Sequence, residues 1–75
     1  MDFNNDNSAT KKEIKSREDD IKDQLQILFD MNMKITNWDV PEADNKLAAE
    51  RILELLYEKL DSIKEEVKQG KYENF

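Results

Sequence analysis

Residues 46–69, KLAAERILELLYEKLDSIKEEVKQ, carry two opposed stripes. Ile52, Leu56, Leu60, Ile63 and Val67 form an apolar column, and Glu50, Glu54, Glu58, Asp61 and Glu65 form an acidic one. Each column steps by three or four residues, the spacing that holds side chains on one face of an α-helix. A two-residue offset turns the columns about 200° apart, so one face is built for packing and the other for water. The stretch predicts a long amphipathic helix.

Working outward, Gly70 stands where a helix commonly ends, after Lys64 and Lys68 have placed positive charge in the last turns. Upstream, Asp39 and Glu42 have capping-box spacing, with Pro41 tolerated in a first turn. This predicts a helix over about 40–69. Before it, Ile14, Ile21, Leu28 and Ile35 recur every seven residues with Leu25 beside them, and Phe29 and Met33 flank the column. A heptad column is the pattern of a helix packed lengthwise on another. Thr10 followed by Glu13 supplies a start, with Ser16 and Asp19 a weaker second one, which predicts a first helix over about 10–35.

A short connection between two long helices makes them antiparallel. When paired residue numbers add to about 81, Ile14 meets Val67, Ile21 meets Leu60, Leu25 meets Leu56 and Leu28 meets Ile52. The fold expected is all-α: an antiparallel two-helix hairpin over residues 10–70, pairing into a four-helix bundle. Residues 1–9, rich in Asn and Asp, read as a disordered lead. Residues 71–75 read as a short tail, with Tyr72 and Phe75 as its apolar members.

Composition narrows the chemistry. The chain has neither cysteine nor histidine, which removes disulfides, thiolate chemistry, zinc sites and imidazole catalysis. No apolar run exceeds three residues and the N-terminus has no basic start, so neither a membrane span nor a signal peptide is expected. The setting expected is cytoplasmic. A net charge of −6 opposes direct nucleic-acid binding. The basic residues Lys11, Lys12, Lys15 and Arg17 are interleaved with or followed by acids. No nucleophile has a neighbouring base and no glycine-rich loop cradles phosphate, so no enzyme, cofactor or metal is expected.

What the seam leaves over points to association. Ile27, Met31, Leu47, Leu53, Leu55 and Tyr57 lie beside or away from the stripes, and Trp38 lies in the connection. These seven are the candidate partner-binding residues. A chain of this size buries only about 60% of its unfolded surface and makes a poor free core. The function expected is a small protein–protein interaction module (a regulator, inhibitor or assembly subunit) acting as a homodimer, on another protein, or both. Trp38 has two readings, an interface anchor or an N′ residue folded over Ile35 and Leu47. Asn32, a polar seam residue, either sets register or faces solvent, and Glu18 at the seam reads as a residue drawn outward by Lys22.

Two alternatives rest on the acids. The column from Glu50 to Glu65 makes a rod of negative potential that suits a nucleic-acid mimic; its plainer reading is a solvated helix back. Paired carboxylates such as Asp20 and Asp23 suggest a carboxylate-metal helical hydrolase, which the outward position of the other acids disfavours.

Overall fold

A computed structural model describes the backbone of residues 3–74 and the side chains of residues 8–74. Among these residues the chain has three α-helices, α1 (Phe3–Ser16), α2 (Glu18–Asp39) and α3 (Asn45–Lys68), and no strand. The all-α expectation holds, but the helix count is three where the sequence predicts two. The chain forms two compact units, Met1–Asp30 and Met31–Phe75. No described helix is long and apolar enough to cross a membrane.

The additional helix arises at Ser16. Its hydroxyl donates to the Glu13 carbonyl at 2.7 Å, the acceptor that the Arg17 N–H would use in an unbroken helix. Arg17 N–H instead donates to the Ile14 carbonyl at 3.0 Å, a tightened turn, and the α pattern resumes when Ile21 N–H donates to the Arg17 carbonyl at 2.9 Å. Glu18, Asp19 and Asp20 then fill the first turn of α2, where the helix dipole favours negative charge.

The first helix also begins earlier than the sequence predicts. Residues 3–9, read as a disordered lead, belong to α1, and Thr10 lies inside it. Once a helix is nucleated, each added residue gains one hydrogen bond. Met1 and Asp2 of that lead, and Phe75 of the tail, lie outside the described residues.

At its other end α2 runs past Ile35 to Asp39. Thr36 Oγ1 donates to the Asn32 carbonyl at 2.9 Å and Asn37 Nδ2 to the Met33 carbonyl at 3.0 Å. Both polar side chains bond to carbonyls within the helix, and α2 continues through the residues expected to break it. The stop comes from Pro41, which disfavours helical backbone at Val40. The cap of α3 is Asp44, not Asp39: its carboxylate accepts from Leu47 N–H at 3.1 Å and its backbone is extended. The connection is therefore residues 40–44.

The C-terminal end of α3 follows expectation. Gly70 has φ +84°, Gly70 N–H donates to the Val67 carbonyl and Lys71 N–H to the Glu66 carbonyl, both at 3.1 Å. These are the paired bonds of a Schellman motif, and the left-handed backbone is why glycine stands there.

Neither unit has a closed core. No described residue is buried. In the second unit Met33, Thr36 and Asn37 on α2, and Ala48, Ala49, Ile52, Leu56 and Ile63 on α3, are half-buried. In the first, Phe29 alone among the described side chains reaches that level, and the heptad residues Ile14, Ile21 and Leu28 are exposed.

Candidate interaction surface

The seven candidate contact residues Ile27, Met31, Trp38, Leu47, Leu53, Leu55 and Tyr57 are all exposed. Ile27 belongs to the first unit and the other six to the second. On α3, Leu53 and Tyr57 are one turn apart and share a side with Leu60, whereas Leu55 stands about 200° from Leu53, across the helix. Leu47 falls on the acidic side, near the cap. On the end of α2 within the second unit, Met31, Ile35 and Trp38 are spaced by four and three residues and make an exposed apolar strip.

Trp38 is the most exposed of the large apolar residues described, at 77%. It lies in the last turn of α2 rather than at N′ of α3, and with Leu47 also exposed it does not cover that residue. The folded-over reading fails because Thr36 and Asn37 extend α2 and carry the indole with it. Ile35, which the sequence placed in the seam, is exposed for the same reason: the protected side of this end is the one bearing Asn32, Met33 and Thr36.

The acidic column is partly neutralised from within α3. Arg51 Nη1 reaches Glu54 at 3.2 Å and Glu58 at 3.8 Å, and Lys68 reaches Glu65 at 3.7 Å. Such exposed pairs contribute about 0–1 kcal/mol each, but they lower the potential a mimic of nucleic acid needs. Glu18 is drawn outward as expected, with Lys22 Nζ at 3.2 Å and Lys15 Nζ at 3.9 Å. Among the described residues no group of three or more carboxylates gathers so as to hold a metal ion.

Two features were not foreseen. The first joins the tail to α3: Tyr72 Oη donates to Glu66 Oε1 at 2.9 Å and Lys71 Nζ to Glu66 Oε2 at 3.2 Å, with the ammonium 5.7 Å from the Tyr72 ring centre. The Tyr72 hydrogen bond, followed by that of Lys71, holds the Glu66 carboxyl below its ordinary range, and the same bond raises the Tyr72 hydroxyl. The signal for it was Gly70, which turns the chain back on itself. The second is a shallow depression of about 380 Å³ on α1, lined by Ser8, Lys11, Lys12, Lys15 and Ser16. Helical spacing puts the three lysines on one side.

No family model, curated protein or solved structure matches this chain.

Proposed function

We propose that this chain is a small non-enzymatic protein–protein interaction module that completes its core by association, most simply with a second copy of itself. One observation carries the reading: sixteen large apolar residues are at least 37% exposed while no described residue is buried. At roughly 25 cal/mol per Å² of apolar surface removed from water, covering several such residues is the largest favourable change open to the molecule. Scattered exposed leucines are ordinary on soluble proteins, but a run of them with no core behind it is not.

The geometry we propose is the antiparallel packing of α3 on the first half of the chain, with Leu25 meeting Leu56 and Ile21 meeting Leu60, and two such hairpins forming a four-helix bundle. Asn32 supports a single register, since a polar seam residue penalises offsets that leave it unpartnered. A reducing, cytoplasmic setting suits a chain without cysteine. Of the alternatives, the nucleic-acid mimic is weakened by the Arg51 and Lys68 pairs within the acidic column.

Sedimentation equilibrium across the micromolar range tests the association. A mass of twice 8.9 kDa or a higher multiple is expected. A single 8.9 kDa species throughout would remove self-association and leave only a different protein as the cover.

A further inference from the structure

The connection between α2 and α3 combines acidic charge with an exposed aromatic residue. Between Lys34 and Lys46 there is no basic residue, while Asp39, Glu42 and Asp44 lie within six positions of the exposed Trp38 in the sequence. Asp44 is engaged as the cap of α3. Asp39 and Glu42 are exposed, and no ion pair among the described residues involves either.

The complement is present in the same sequence. Lys11, Lys12 and Lys15 line one side of α1 around a depression, and of the three only Lys15 has an ion-pair partner among the described residues, Glu18 at 3.9 Å. An ammonium lying over an indole face gains about 0.5–1 kcal/mol at exposed sites, and lysine stems give the ring an apolar floor. An acidic segment with an exposed aromatic and a lysine-lined face match in charge.

From this match we infer that the acidic Trp38 corner of one copy docks on the lysine face of α1 of a second copy. The docking rests on the self-association proposed above and gives it an orientation. A second copy is favoured over an unrelated basic protein because both halves of the contact are encoded in one chain. Charge matching of this kind sets orientation and encounter rate more than total affinity, which remains with the apolar strips.

The test is a charge swap in the full chain, read by sedimentation velocity. One variant carries Asp39→Lys and Glu42→Lys, the other Lys11→Glu and Lys12→Glu; the cap Asp44 is left intact. Each alone is expected to weaken self-association by about tenfold or more, because like charges then face each other. An equimolar mixture is expected to restore it, since each reversed surface meets its complement on the other variant. Wild-type affinity should also fall between low and physiological salt, a measurement that needs no variant.

Several results would overturn the docking. They are reversals without effect, losses that mixing does not rescue, an affinity indifferent to salt, or a reversal effect on helicity that is independent of concentration and so lies within one chain. Association that survives both reversals removes this contact and leaves apolar association standing. A wild-type chain that stays monomeric removes both.

Discussion

Two residues set features that the hydrophobic pattern does not contain. Ser16 diverts the Glu13 carbonyl from the helix ladder, and the break at Arg17 follows from that one hydroxyl. Ser16→Ala leaves the acceptor for Arg17 N–H, joins α1 to α2, and should stabilise the helical state by about 0.5 kcal/mol through the better propensity of alanine. Hydrogen exchange at the Arg17 amide reads this directly: slower exchange is expected, and an unchanged rate would show that another constraint makes the break. Glu66 is the second such residue. Because its carboxyl titrates below the ordinary 4.5, the stability it contributes is complete above that value and is lost as pH falls through the lowered one. The raised Tyr72 hydroxyl acts in the opposite direction, contributing fully below 10.0 and failing as pH rises past its raised value. Tyr72→Phe removes the largest cause of the Glu66 shift, so the Glu66 titration followed by carboxyl NMR should move up toward 4.5. A titration that stays put would assign the shift to Lys71 instead.

At the scale of elements, α3 was legible because three independent signals agree on it: the apolar column, the acidic column and the glycine stop. Its start was misplaced because Asp39 and Asp44 both offer a capping carboxylate. Only the structure shows that α2 continues over the first candidate cap, through Thr36 and Asn37, whose side chains bond to carbonyls one turn back. The seven candidate contact residues were legible as exposed, but not as one surface, since Leu53 and Leu55 are two positions apart on a helix and so point in nearly opposite directions. The Glu66 contacts were hidden because they depend on a left-handed turn bringing residues five and six positions away back to one carboxylate. Asp44→Ala should destabilise α3 by about 1 kcal/mol through loss of the cap. Gly70→Ala should cost about 1 kcal/mol for the left-handed backbone; the added Cβ would stand 3.3 Å from the Glu73 carboxylate, a side-chain end that can shift. Thermal melts followed by circular dichroism measure both. If Asp39→Ala proved the more damaging change, the assignment of the cap would be wrong.

For the whole molecule, the proposed self-association, motivated by the lack of any buried residue among those described, makes stability a question of concentration. A monomer that holds its fold alone melts at one temperature at any dilution, whereas a fold completed by a partner copy is stabilised by mass action. A tenfold rise in concentration adds about 1.4 kcal/mol per dimer, or about 0.7 kcal/mol per chain. At the 4–8 °C per kcal/mol typical of domains this small, Tm should rise by about 3–6 °C for each tenfold step. The strip of Met31, Ile35 and Trp38 supplies the control. Ile35→Glu puts a charge on a surface that is exposed in the single chain, so it should change the helicity of the isolated chain little. It should nevertheless flatten the dependence of Tm on concentration, because a carboxylate would have to be desolvated on association. A Tm that does not move with wild-type concentration would place the whole of the stability within one chain. The exposed apolar residues would then be surface and nothing more.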